Sequence, residues 1–522
     1  MSKQTFIQGT VILILAGLIT RILGFINKIV VARIMGAEGV GLYSMAVPTL
    51  LLVITITQLG LPVAISKLVA EAEAKKDRKK IKRILVVSLA STGLLSGVFT
   101  VAMIAFAPVI AKTLLTDERA YLPLIAIAPI VPIVALSSVL RGYFQGRQNM
   151  RPTAYSQVIE QVVRITLVAV MTSAFLPYGV EYAAAGAMIS VVIGELASLI
   201  FMLFMFKMKK RMRIRKGFLN YLREGKMTFK ELMSIALPTT GSRLIGSIAF
   251  FFEPIVVAQS LAIAGVATVV ATKQYGELAG FVIPLLLLPT FITYSLSVSL
   301  VPAISEAAAQ KQYRLINHRL DQALRLALIS GGISVVILYI FAEPIMSLMY
   351  NAPTTAVYLQ IMAPFSIFLY FQGPLQATLQ ALNLAKAAMM NSLFGAVIKT
   401  AAIFALATRP ELGIMGAALA IVIGMVLVTM LHFASVVKTI SFTLHVREVG
   451  KAIIAMVASA FIGFLLYEHA FLSMGLFGKT ILSISMVGIF YGILLIVFGL
   501  IKKDEVIRIP VIGKWLAPFT KA

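Results

Sequence analysis

From end to end, this sequence alternates long apolar runs with short polar stretches. A run of about eighteen or more apolar residues is what a helix needs to cross hydrocarbon. Runs this long and continuous do not suit the alternating strands of a membrane barrel. The pattern predicts fourteen helical spans, near residues 9–33, 41–66, 84–110, 121–144, 154–176, 183–206, 232–262, 275–304, 322–342, 356–381, 390–408, 414–437, 451–470 and 479–501. The start, MSKQTFIQGTVILILAG, has the look of a signal peptide. Its apolar run continues past a normal h-region with no convincing cleavage site, so it reads as a retained first span.

The polar stretches orient these spans. The loop Lys67–Arg83 carries eight Lys/Arg and the loop Lys207–Lys230 carries ten, and both follow even-numbered spans. Loops after odd-numbered spans, such as Phe341–Pro353, carry two at most. The positive-inside rule then places both termini in the cytoplasm. Composition agrees with a chain solvated by lipid: 60% of residues are hydrophobic, 13% are charged, and the mean hydropathy is +0.96. Soluble domains are nearer a quarter charged. The net charge of +25 lies in short loops between spans, so it is a topology signal and not a nucleic-acid footprint. There is no cysteine, and His318, His432, His445 and His469 are scattered without metal-ligand spacing.

The chain repeats itself. TRILG (Thr20–Gly24) recurs as SRLIG (Ser242–Gly246), and LPVAIS (Leu61–Ser66) as LVPAIS (Leu300–Ser305). VVRIT (Val162–Thr166) is echoed by VIKTA (Val397–Ala401), and GAMISVVIG (Gly186–Gly194) by GAALAIVIG (Gly416–Gly424). Four matches in one order predict two parallel copies of six spans, related by an axis along the membrane normal. The expected organisation is a lobe over 1–206, a basic linker over 207–231, a second lobe over 232–437, and two extra spans with a tail over 438–522. The fold class is an all-α integral membrane protein.

Charges inside the spans are the candidate chemistry. Gly17, Arg21, Gly24 and Lys28 fall on one face of the first helix, within about 60°. A charge at mid-span costs about 2.5–3.5 kcal/mol on insertion scales, so Arg21 is expected to face protein or water. The repeat maps Arg21 onto Arg243 and Arg164 onto Lys399. These cations are expected to surround a central, water-accessible site for an anionic substrate, with Lys28 either joining them or snorkelling to an interface. The competing reading is structural pairing. Glu160 precedes Arg164 by four residues, the favourable order for a helical ion pair. Glu195, Glu253 and Glu277 are further candidate partners, for Arg243, Lys273 or Arg21. GYFQG (Gly142–Gly146), GELAG (Gly276–Gly280) and GIFYG (Gly488–Gly492) read as packing motifs. GKT (Gly478–Thr480) lacks the first glycine of a phosphate loop. No nucleophile triad, metal cluster or Walker motif stands out, so neither an enzyme nor a cofactor is expected.

Several stretches carry a resemblance: TRILGFINKIVVARIMGAEGVGLY, VLRGYFQGRQNM, LPTTGSRLIG and EPIVVAQSLAIAGVATVVATKQYGEL. Over essentially its whole length the chain resembles the multidrug/oligosaccharidyl-lipid/polysaccharide exporter superfamily, and within it a branch from endospore-forming bacilli. The resemblance implies two six-helix lobes plus two C-terminal helices that form a groove for a lipid tail. It implies movement of lipid II, an undecaprenyl-pyrophosphate-linked peptidoglycan precursor, to the outer leaflet for spore cortex synthesis, in a membrane around the forespore. It also implies that Arg21 lines a cationic cavity. Aspartates that help some lipid II flippases bind sodium have no counterpart here: the seventh span has Glu253, and the eleventh and twelfth have no carboxylate. The alternatives are a flippase for another polyprenyl-linked polysaccharide, a multidrug antiporter, and a non-transporting scaffold for cortex-building enzymes.

Overall fold

The computed structural model describes residues 6–208, 218–443 and 445–501, and all of its regular structure is helical. Residues 209–217 of the basic linker and the tail beyond residue 501 lie outside the described residues. Thirteen helical stretches among the described residues are long and apolar enough to cross a membrane. The first, Leu15–Ala74, has 60 residues. At 1.5 Å per residue it would reach about 90 Å, against about 30 Å of hydrocarbon, so it accommodates two crossings. It breaks where the sequence allows it to break. Gly36 adopts φ 65°, ψ −173°, a region open only to glycine. Leu59 and Gly60 are both left-handed (φ 45° and 63°). Fourteen crossings therefore fit the described chain.

The chain divides into two compact units, Met1–Gly280 and Phe281–Ala522. The first contains α1 (Phe6–Gln58), α2 (Leu61–Ala74), α3 (Arg78–Val109), α4 (Tyr121–Ile127), α5 (Ile130–Gly146), α6 (Arg151–Phe175), α7 (Val180–Met208), α8 (Phe218–Arg223), α9 (Lys226–Ile263) and α10 (Thr268–Tyr275). The second contains α11 (Ile283–Leu287), α12 (Thr290–Ala309), α13 (Tyr313–Ile340), α14 (Ala342–Tyr350), α15 (Ala356–Met362), α16 (Ser366–Ala381), α17 (Ala385–Ala407), α18 (Gly413–Ile440), α19 (Val446–His469) and α20 (Leu476–Val497). The lobes expected from sequence follow the internal repeat, whereas these units follow packing, and α9 falls in the first because it packs on α1 and α2.

In the first unit, Leu61, Ile65, Leu85, Phe144 and Met202 form a buried core. A Cβ on Gly142 would lie 2.8 Å from Pro62 O, and one on Gly146 would lie 2.6 Å from Ser66 O. The GYFQG glycines thus let α5 lie directly on α2. In the second unit, Ile304, Leu320, Leu375 and Leu379 form the corresponding core. The last two spans attach to α13 through Leu328, Ala452 and Tyr491, and the Tyr491 hydroxyl donates to Ile329 O at 3.2 Å. GIFYG departs from expectation: a Cβ on Gly488 or Gly492 would meet nothing within 4 Å, so these glycines seat no neighbour.

The repeat is written in the backbone as well as in the sequence. Left-handed, non-glycine residues recur 235 positions apart: Lys76 and Lys311 (both φ 56°), Thr116 and Asn351 (59° and 54°), Gln148 and Asn383 (54° and 61°). The turn hydrogen bonds recur at the same interval. Asp77 N donates to Ala72 O and Gln312 N to Ala307 O, both at 2.9 Å. Asn149 N donates to Phe144 O at 3.0 Å and Leu384 N to Leu379 O at 2.8 Å. Each half therefore turns its chain at the same three corners.

Candidate substrate site

The sequence-predicted cations sit in three different environments. Arg21 and Lys28 are exposed on α1. A Cβ on Gly17 would meet nothing within 4 Å, and one on Gly24 would meet only Gln161 Oε1 at 3.8 Å. This face of α1 is therefore open, and its glycines leave room instead of seating a helix. Its border is the face of α6 that carries Gln161 and, one turn on, Arg164. Arg243 is likewise exposed on α9, and Gly241 and Gly246 beside it face open space. Among the described residues, no carboxylate comes within ion-pair distance of Lys28 or Arg243.

Arg164 is different. Its Nη2 is paired with Glu160 Oε1 on the same helix. The pair belongs to a larger network. Arg141 Nη2, on α5, lies 2.9 Å from Glu195 Oε1, on α7, and 3.8 Å from Glu160 Oε2. It also donates to Ser198 Oγ at 3.4 Å. Two arginines and two carboxylates thus form one neutral cluster joining three helices. The glycine of GAMISVVIG makes this approach feasible: a Cβ on Gly194 would lie 2.9 Å from Glu160 O and 3.2 Å from Arg164 Cβ. The competing reading, structural pairing, therefore describes Arg164, whose charge Glu160 meets. Glu195 is bound by Arg141, which lay outside the set of partners the sequence suggested.

The repeat-related position behaves differently again. Lys399 lies on α17 with its methylenes over α18, and a Cβ on Gly424 would lie 3.0–3.1 Å from Lys399 Cβ, Cγ and Cδ. Arg164 on Gly194 and Lys399 on Gly424 are thus the same packing arrangement in two halves. The carboxylates are not repeated. By the same offsets, Glu160 corresponds to Gly395 and Glu195 to Met425. Glu253 is buried on α9, within electrostatic reach of Tyr275. It lies ten residues from Arg243, about 15 Å along the helix, which is too far to pair with it. Glu277 is half-buried, within electrostatic reach of Lys273. No group of three metal-ligating side chains occurs among the described residues.

A second polar cluster lies in the first unit, near the Gly36 break. Asp117 accepts from Arg119 Nε (3.0 Å), Arg119 Nη2 (2.8 Å) and Thr272 Oγ1 (2.7 Å), and Arg119 Nη1 also binds Glu38. It ties the start of the second span to the loop before α4 and to α10. Burial pushes the Asp117 carboxyl up, but the hydrogen bonds from Arg119 and Thr272 outweigh burial and hold it below the ordinary carboxylate value. Here the GELAG glycines allow backbone contact: a Cβ on Gly276 would lie 1.9 Å from Ala37 O.

Comparison with known proteins decides the family. The polysaccharide biosynthesis protein family matches residues 6–308. The chain belongs to this family. The MatE family also matches residues 254–404. Within the family, the chain is 61% identical to stage V sporulation protein B of Bacillus subtilis (strain 168), over 98% of this chain and 99% of that one. It is 27% identical to the lipid II flippase MurJ of the same organism, over 76% of each. Among solved structures, it resembles a lipid II flippase MurJ in an inward closed conformation, with a TM-score of 0.69 and 17% identity, covering 95% of this chain and 99% of that one. That likeness extends the shared all-α membrane fold to nearly the whole chain.

Proposed function

We propose that this family member is a flippase that carries a lipid-linked, pyrophosphate-bearing glycan, lipid II in the first instance, to the outer leaflet during spore cortex synthesis. The observation that carries the reading is the open face of α1, where Gly17 and Gly24 leave space around Arg21 and Lys28. Such a face accepts an anionic head group, and guanidinium groups bind phosphate oxygens through charge-assisted, bidentate hydrogen bonds. The lipid tail stays in hydrocarbon while the head group is sheltered. Arg21, Lys28, Arg164, Arg243 and Lys399 are the proposed substrate residues, with alternating access as the movement. The relatives named above support this substrate class. A multidrug antiporter for cationic drugs would need available carboxylates, and Glu160 and Glu195 are committed to arginines.

The test is leaflet accessibility of labelled lipid II in liposomes containing purified protein under an imposed membrane potential. Transport is expected from the native protein, with a loss on the order of tenfold or more in Arg21→Ala and Arg243→Ala. Native-like transport in both variants would refute the cationic site. Native protein that moves nothing beside an active MurJ control would point to another glycan lipid or to a scaffold.

A further inference from the structure

The four-charge cluster of α5, α6 and α7 has a geometry that a purely structural ion pair would not need. Arg164 spends one terminal nitrogen on Glu160 and keeps a fifth of its side-chain surface exposed (19%). Its Nε is buried without an acceptor. A guanidinium has five donors, and an incoming anion meets the exposed part of the Arg164 side chain. Arg141 has the complementary property. It is bonded to Glu195 at 2.9 Å but stands only 3.8 Å from the other oxygen of Glu160, and its own Nε is also buried without an acceptor. Arg141 is thus poised to close on Glu160 if Arg164 leaves.

We propose that Glu160 and Arg141 are positioning residues forming an ion-pair relay: an incoming pyrophosphate takes Arg164 from Glu160, and Arg141 closes on the released carboxylate. The proposal rests on Arg164 being a substrate residue, as in the reading above. The relay solves a problem of burial. A carboxylate stripped of its partner in a low-dielectric interior carries a large penalty, which would oppose substrate binding. Arg141, shared between Glu160 and Glu195, offsets part of that penalty, and the four groups together gain only the substrate's charge when loaded. Release reverses the exchange, because Glu160 competes for Arg164 and keeps the anion from binding irreversibly. The second half has Gly395 and Met425 where the first has Glu160 and Glu195, so the exchange belongs to one half.

The test is binding of radiolabelled farnesyl pyrophosphate to the full-length protein in nanodiscs. Arg164→Ala is expected to weaken binding roughly tenfold. Glu160→Gln is expected to tighten it several-fold, because the competitor is gone. Arg141→Ala should weaken it in the native background but have no effect in Glu160→Gln, and Arg141→Lys should restore part of the loss. Glu195→Gln provides a second route: it frees Arg141 for Glu160, so it is expected to tighten binding, whereas loss of a merely structural bond would weaken it. Unchanged affinity in Arg164→Ala would overturn the substrate role of Arg164 and the relay with it. Weakened binding in Arg164→Ala, with no tightening in Glu160→Gln or Glu195→Gln, would overturn the relay alone.

Discussion

At the scale of the residue, the distinction that matters is between cations that are committed and cations that have room. Arg164 was legible as both, because Glu160 stands four residues before it and helical geometry alone brings the two together. Arg141 and Glu195 were not legible. They lie 54 residues apart, and only the packing of α5 against α7 makes them neighbours. The local signal was present in LRGYFQG, where a charge sits inside an apolar span, but the flanking glycines explained the motif well enough to hide it. The glycine beneath Arg164 gives a sharp prediction. Gly194→Val would drive a branched side chain into Glu160 O, 2.9 Å from where its Cβ must sit. Overpacking of this kind costs about 1–3 kcal/mol. It should appear as a lower melting temperature in detergent, while Gly488→Val, where a Cβ meets open space, should leave the melting temperature unchanged.

At the scale of the element, hydropathy located the spans and missed their internal joints. The gap expected between the first two spans, residues 34–40, contains the Gly36 break. The break at Leu59 and Gly60 falls inside the span expected over 41–66, because a run of apolar letters does not show that the chain has turned within it. The π-helical stretches at Ile110–Leu114 and Gly276–Val282 were equally invisible, since an extra residue in a turn changes no residue's polarity. The clasp at Glu38, Asp117, Arg119 and Thr272 joins three such joints. Its pH dependence follows from Asp117. Because the folded carboxyl titrates below its ordinary value, the clasp contributes full stability above the unfolded value, about 4. That contribution is lost as pH falls through the lower, folded value. Hydrogen exchange at residues 115–120 should therefore be flat from pH 8 to 5 after correction for intrinsic rates. It should accelerate only in stronger acid, and Asp117→Asn should abolish the acid step. An acid step that survives in Asp117→Asn would mean another group governs the clasp.

At the scale of the whole molecule, the two halves share their corners and differ in their charges. The repeat was readable from four short matches, and in one of them, GAMISVVIG and GAALAIVIG, the packing explains the likeness: Gly194 and Gly424 each seat the cation-bearing helix beside them. The expected lobe boundaries and the cytoplasmic placement of the termini remain proposals, and tagging each terminus with a membrane-impermeant probe target would test the latter. Charge also suggests a source of work. Moving one charge across 100 mV is worth about 2.3 kcal/mol. With the interior negative, outward passage of a pyrophosphate is downhill, and Lys28 and Arg243, cations without a described carboxylate partner, would favour return of the empty site. We therefore expect collapse of the potential at constant ion gradients to slow lipid II movement in the liposome assay, and an unchanged rate would exclude this drive.

The shared corners have a practical consequence for anyone who must keep this protein alive in detergent. At two of the three corners the halves solve the same left-handed turn with different residues. The second half uses asparagine at 351 and 383, the residue that tolerates this conformation best after glycine. The first half places threonine at 116 and glutamine at 148, and a β-branched residue suffers there most. The molecule therefore carries its own catalogue of thermostabilising substitutions. Thr116→Asn transplants a remedy already tried 235 residues downstream, with an expected gain of about 1 kcal/mol and no contact with the substrate face.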